Sequence, residues 1–342
     1  MDTTGLGYQS RNLVRMLNPE KILLVDSTSF KEKSQHPEWY TGFGTKDYEI
    51  TLSDGIPGFV EYDRFLTNLD VILTAETPYT YEAWNWARAK GVETICQPNW
   101  ELFDGLVQPN MPHPDIYLMP SYWMLEEMQM FFPQTVYLPP PIITKDFKEA
   151  KKINLSRTGK RRFVHIVGNG AVYDRNGWAL LREALEYTKS DFELVVYAQT
   201  AITGRFDERV KYHIFDIEDQ TELYTGFDAL IMPRRYGGLC LPMNEALSAG
   251  LPVIMTDVSP NNQILPKEWL VPSYISDHFE GRSTIDVYSV EPQELARKID
   301  WLCSLPDYKL REQKRKAFKL AYDNFSDLVL ISKYKEILNG SL

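Results

Sequence analysis

Residues Pro233–Asp257 read PRRYGGLCLPMNEALSAGLPVIMTD. The apolar run Ala229–Met232 delivers Pro233 and predicts a short buried strand. Gly237-Gly238 then makes a turn at which the backbone can approach a ligand closely. A helix is expected over Met243–Ala249, closed by Gly250, and a second buried strand over Pro252–Thr256. Strand, glycine turn, helix and strand make the repeating unit of a parallel α/β sheet. The start of such a helix offers free N–H groups and the positive end of its dipole, a setting that suits a phosphate. Glu245 lies in the first turn. A carboxylate there favours the helix start, and it can also accept two hydrogen bonds from the vicinal hydroxyls of a ribose.

The same rhythm runs outward in both directions. Lys21–Asp26, Val71–Thr74, Val92–Cys96 and Ile116–Met119 read as buried strands. Tyr79–Lys90 reads as a helix ending at Gly91, and Ser121–Phe132 as a helix begun by a serine cap. After residue 160 come a strand over Phe163–Val167, a helix over Gly177–Thr188 and a strand over Phe192–Tyr197. Two blocks of alternating strands and helices predict an α/β chain with two Rossmann-like domains. The boundary is expected within Leu138–Arg162, which opens with Pro139, Pro140 and Pro141 and then turns strongly basic. This divides the chain into residues 1–150 and 151–324. A second basic run, Lys309–Lys319, opens the C-terminal helical region, and both runs read most simply as solvated faces.

Composition narrows the class. With 342 residues, 44% hydrophobic and 25% charged, the chain is long enough for two ordinary cores. The net charge of −10 does not suit a dedicated nucleic-acid binder. Three scattered cysteines, Cys96, Cys240 and Cys303, form no CxxC or Cys/His cluster, so neither a zinc site nor a disulfide framework is expected. No apolar run is long enough to span a bilayer, and MDTTGLGYQS shows no signal-peptide pattern; a cytoplasmic protein is expected. None of the five histidines falls at a strand end in the first block.

Three stretches resemble retaining GT-B-fold glycosyltransferases of family four. The family's donor motif runs roughly EGFGLPxxEAxxxGxPV. Here Gly237-Gly238-Leu239-Cys240-Leu241-Pro242-Met243-Asn244-Glu245-Ala246 and Gly250-Leu251-Pro252-Val253 match in register. Two positions depart: the family's first glutamate falls on Gly237 and its second glycine on Cys240. The resemblance implies donor contacts from Gly237, Gly238, Leu239 and Glu245. Phe163–Gly177 (FVHIVGNGAVYDRNG) resembles the family's diphosphate loop. It implies donor contacts from Gly168, Asn169, Gly170 and Arg175, with Arg175 acting on the leaving group and Arg234 and Arg235 as further candidate cations. Gly5-Leu6-Gly7 before an amphipathic stretch resembles the N-terminal glycine loop, so Gly5 and Gly7 join the donor set. Only four residues precede it, so either a first strand is missing or the natural start lies upstream of Met1. Thr74–Asp104 aligns with the acceptor side and implies Glu76, Asn99 and Trp100 there, with Glu76 catalytic. Phe325–Leu338 resembles the last helix, which in the family crosses back onto the first domain, giving 325–342 to that domain.

The resemblance implies transfer of a sugar from a nucleotide-diphosphate sugar to an acceptor hydroxyl, with retention, without metal and without a further cofactor. A UDP-sugar is favoured over a GDP-sugar. The acceptor stays open among sugars, lipids, proteins and a modified DNA base. The basic runs motivate the DNA option and the net charge opposes it. A degenerate GT-B binding or scaffold protein is the alternative, motivated by Gly237. An epimerase or phosphorylase finds no support in the sequence.

Overall fold

The computed structural model describes residues 5–26, 49–100, 110–168, 172–200, 202, 207–215, 217, 219–281 and 284–340. The chain divides into two compact units: one holds the residues up to Ile143 and those from Asp327 onward, the other Thr144–Ser326.

Unit one is built on short parallel ladders. Strands β1 (Lys21–Asp26) and β2 (Glu49–Asp54) pair with each other. Strands β3 (Val71–Ala75), β4 (Glu93–Gln97), β5 (Ile116–Met119) and β6 (Thr135–Tyr137) form a four-stranded parallel sheet in that order. All four residues of β5 are buried, as its uninterrupted apolar sequence requires of a strand covered on both faces. Helices α2 (Phe59–Phe65), α3 (Glu82–Ala89) and α4 (Leu125–Phe131) bury Tyr62, Trp84, Ala87 and Met128 in one apolar cluster. Helices α1 (Gly5–Leu17) and α11 (Asp327–Leu338) supply Leu13, Leu330, Tyr334 and Ile337 to a second cluster with Ile95, Leu118 and Leu138.

Unit two holds a six-stranded, all-parallel sheet. Its strands are β7 (Arg161–Gly168), β8 (Phe192–Ala198), β9 (Val210–Ile214), β10 (Ala229–Ile231), β11 (Val253–Thr256) and β12 (Leu270–Val271). Their order is β12-β11-β10-β7-β8-β9. The chain runs outward from β7 to β9, returns to β10, and runs outward the other way. The order reverses between β7 and β10, the switch point at which loops part and leave a crevice. The helices are α5 (Lys148–Ser156), α6 (Trp178–Leu185), α7 (Leu241–Ser248), α8 (Asn261–Ile264), α9 (Pro292–Ser304) and α10 (Asp307–Phe325). An antiparallel ribbon, β13 (Ser273–Glu280) with β14 (Thr284–Val290), stands between β12 and α9.

Several expected boundaries shift. Ser121 does not cap a helix: its Oγ accepts from Trp123 N at 3.3 Å within a turn, and α4 starts only after Met124, which has φ +59°. The C-terminal helix expected over Phe325–Leu338 is two helices parted at Ser326. The second basic run is not simply a solvated face. Lys314 is buried and donates to Asp228 Oδ1 at 2.7 Å, while Lys309, Lys316 and Lys319 pair with Glu312, Glu268 and Asp323. The first run packs against the second, with Lys151 Nζ 3.6 Å from the Phe318 ring centre. Among the described residues, no helix is long and apolar enough to cross a membrane.

Candidate functional site

The two loops leaving β7 and β10 lie side by side because their strands pair. They touch at Gly177, where a Cβ would collide with the Pro233 carbonyl; Gly177 also holds φ +78°, so only glycine fits. On the first loop, Tyr173 and Asp174 adopt left-handed backbone at φ +54° and +51°. The bend aims Asp174 at the start of α6, where its carboxylate accepts from Trp178 N at 2.9 Å and Ala179 N at 2.7 Å. Burial raises the Asp174 pKa against these two hydrogen bonds. Asn176 Nδ2 donates to the Ile166 and Val167 carbonyls at 3.0 and 3.2 Å and ties the loop to its strand. Gly168 ends β7 at φ +76°. Asn169 and Gly170 lie outside the described residues.

Three arginines gather on these loops. Arg235 bridges three elements: it donates to the Tyr288 carbonyl at 3.0 Å, the Tyr173 carbonyl at 3.0 Å and Ser276 Oγ at 3.2 Å. Its backbone N–H donates to the Arg175 carbonyl at 2.8 Å. Arg234 is buried and donates to the Tyr236 and Leu239 carbonyls at 2.9 and 3.0 Å. The Arg175 guanidinium sits 5.3 Å from the centre of the Tyr236 ring. Phe279 of the ribbon stacks on Tyr173 at 5.2 Å and meets Tyr236 edge-on at 5.1 Å. The ribbon thus walls the site on one side.

The second loop leads into α7. Among the described residues, no acceptor takes the backbone N–H groups of Gly237, Gly238, Leu239, Cys240 or Leu241. Pro242 follows in the first turn and has no N–H to offer. Five successive unengaged amides at a helix start suit an anion. One turn further on, Glu245 is 2% exposed. Tyr224 donates its hydroxyl to Oε2 at 2.6 Å, and Gln220 donates to Oε1. Burial pushes the Glu245 carboxyl up to about 8, and the two hydrogen bonds oppose the rise.

The predicted acceptor-side residues lie in unit one. Glu76, just past β3, holds φ +114°. Its carboxylate accepts from Thr77 N at 3.1 Å, Asn99 N at 3.0 Å and Asn99 Nδ2 at 2.6 Å. Glu76 and Asn99 are therefore joined at neighbouring strand ends. Trp100 is buried in the apolar cluster of that unit. Gly5 and Gly7 are the first residues of α1 rather than a loop before it. Among the described residues, no group of three or more His, Cys, Asp or Glu side chains is placed to hold a metal ion.

Of the residues singled out in the sequence, Gly168, Arg175, Arg234, Gly237, Gly238, Leu239 and Glu245 all lie in unit two, on or beside the loops after β7 and β10 and on α7. Sequence reasoning also offered Arg235 as a cation, and it missed Asp174, Gln220, Tyr224 and Phe279. Asp174, set shortly before an apolar helix, was readable as a cap; the other three act across distances that no local pattern records.

Residues 161–304 match the family described as Glycosyl transferases group 1. No curated protein sequence matches the chain. Among solved structures, Anabaena Alr3699/HepE in complex with UDP is similar at a TM-score of 0.69 and 12% identity, covering 98% of this chain and 96% of that one. A glycosyltransferase from Rickettsia africae ESF-5 gives a TM-score of 0.69 at 12% identity, covering 99% and 96%. The lipopolysaccharide outer core galactosyltransferase WaaB in its apo form gives 0.60 at 12% identity, covering 99% and 97%. Residues 161–304 of unit two are thus similar to glycosyl transferases group 1, and the chain has the fold of the GT-B glycosyltransferases.

Proposed function

We propose that this protein is a glycosyltransferase that moves a sugar from a UDP-sugar to an acceptor hydroxyl. The observation that carries the reading is the run of unengaged amides from Gly237 to Leu241, set at the start of α7 and at the sheet's switch point. The family match covers these residues, and the HepE structures were solved with UDP, with UDP and glucose, and with UDP-glucose.

On this reading the diphosphate rests on the amides of Gly238 to Leu241. Arg175 stands at the junction of diphosphate and sugar, where a fixed guanidinium stabilises the charge that develops on the departing group. That positive charge supports a reaction without metal. Glu245, oriented by Tyr224 and Gln220, takes the ribose hydroxyls through its remaining lone pairs. Glu76, held by Asn99, belongs to the acceptor side. Retention of configuration follows from the family resemblance alone.

A thermal-shift screen with UDP, GDP and ADP tests the donor, followed by donor turnover. UDP is expected to raise the melting temperature most. Glu245→Ala is expected to weaken UDP binding by roughly 1–3 kcal/mol. Arg175→Ala is expected to lower kcat more than it weakens UDP binding, because its charge acts chiefly in the transition state. No shift with any nucleotide would remove the reading. UDP binding without turnover would favour the binding-protein alternative that Gly237 motivates.

A further inference from the structure

Arg235 ties three parts of unit two together. The sequence offers it as a cation for the donor, but its guanidinium is engaged inside the protein. Nε donates to the Tyr288 carbonyl at 3.0 Å, Nη1 to the Tyr173 carbonyl at 3.0 Å and Nη2 to Ser276 Oγ at 3.2 Å. Its backbone joins the same parts: the Arg235 N–H donates to the Arg175 carbonyl at 2.8 Å, and the Arg235 carbonyl accepts from Tyr288 N at 2.9 Å. Ser276 is the extra residue of β13, where the ladder slips between Ile275 and Asp277. Its hydroxyl donates on to the Val287 carbonyl at 3.0 Å. Both strands of the ribbon therefore hold Arg235, and Arg235 holds the loop after β7.

That loop needs a hold. Tyr173 and Asp174 are consecutive non-glycine residues at φ +54° and +51°, a backbone that such residues keep only where contacts impose it. The carbonyls on either side of Asp174, those of Tyr173 and Arg175, both accept from Arg235. Phe279 of the ribbon adds its ring against Tyr173 at 5.2 Å. The Arg175 side chain thus leaves a bend whose backbone is fixed on both sides. We propose that Arg235 is a positioning residue for Arg175: with the ribbon as its anchor, it sets where the Arg175 guanidinium stands. The inference rests on the donor reading, in which Arg175 acts at the diphosphate.

Phosphorus NMR of UDP bound to the full chain tests it, in the wild type, Arg175→Ala, Arg235→Gln and the double variant. Arg175→Ala is expected to move the signal of the β-phosphorus. Arg235→Gln, which leaves Arg175 in the chain, is expected to reproduce about half or more of that movement while UDP affinity changes about threefold or less. In the double variant the signal is expected where Arg175→Ala alone puts it, because a residue that acts through Arg175 adds nothing once Arg175 is gone. A wild-type signal in Arg235→Gln, or movements that add in the double variant, would overturn the inference while UDP binding left the donor reading intact. So would a loss of UDP affinity in Arg235→Gln of about tenfold or more, since Arg235 would then hold the ligand itself. A β-phosphorus signal indifferent to Arg175→Ala would remove Arg175 from the diphosphate and the inference with it. Failure of UDP to bind the wild type would overturn both readings. Should Arg235→Gln not fold, Ser276→Ala removes one of the three guanidinium acceptors. A smaller movement in the same direction is then expected, and no movement would overturn the inference.

Discussion

Glu245 shows how one residue can be legible in kind and hidden in setting. The strand, glycine turn and helix around it announce a carboxylate in a first helical turn, but α7 starts at Leu241, two residues earlier than expected, which puts Glu245 in the second turn. Its burial, and its bonds to Tyr224 and Gln220, come from a segment about twenty residues upstream whose docking no local pattern records. That setting has a measurable effect. With its pKa raised to about 8, the folded protein holds a proton that the unfolded chain releases at ordinary carboxylate pH. Stability from this group is therefore highest at low pH and is lost as pH rises toward 8. Glu245→Gln, which stays neutral throughout, is expected to flatten the fall in melting temperature between about pH 5 and 8. Equal slopes in the two proteins would show that the carboxyl is ionised across the range.

At the level of elements, β1, β3, β4, β5, β7, β8, β10 and β11 were readable because buried parallel strands are continuous apolar runs, whereas β2, β6, β9 and β12 are short or interrupted by polar residues and went unread. β1 and β5 fall where the sequence puts them. The ribbon β13–β14 went unread: β13 is almost wholly exposed, so its residues obey no burial pattern. β14 alternates Ile285, Val287 and Ser289 inward, and that was the available signal. The basic run in α10 misled for a related reason, since a lysine inside a charged stretch looks the same whether solvated or buried. Lys314 donates to Asp228 Oδ1 at 2.7 Å and to the Asn154 carbonyl at 2.7 Å, while Arg157 Nε and Arg162 N hold Asp228 Oδ2, each at 2.9 Å. Lys314→Met removes one partner of a buried pair and is expected to cost about 3–5 kcal/mol in urea denaturation. A cost below about 1 kcal/mol would mean that Asp228 takes up a proton or water in its place.

Across the whole molecule, a polar thread runs through the apolar core of unit one. Gln9 donates to Gln97 at 2.9 Å, and Gln97 donates to the Leu138 carbonyl at 2.7 Å and to Tyr334 Oη at 2.9 Å. Tyr334 in turn donates to the Pro139 carbonyl at 3.1 Å. The thread fixes α11 against the end of the sheet in one register. Tyr334→Phe keeps the ring and leaves the Pro139 carbonyl without this donor, so a loss of about 1–3 kcal/mol is expected, read by urea denaturation with unchanged circular dichroism. A loss indistinguishable from zero would assign the fixing of α11 to packing alone.

That helix has a consequence in time. A ribosome makes all of Thr144–Ser326 before it makes α11, yet Leu330, Tyr334 and Ile337 complete the cluster around Leu13, Ile95 and Leu118. During synthesis the earlier part of the chain waits with an open apolar groove while the middle part folds. A premature stop within α11 therefore damages the half of the protein that was translated first.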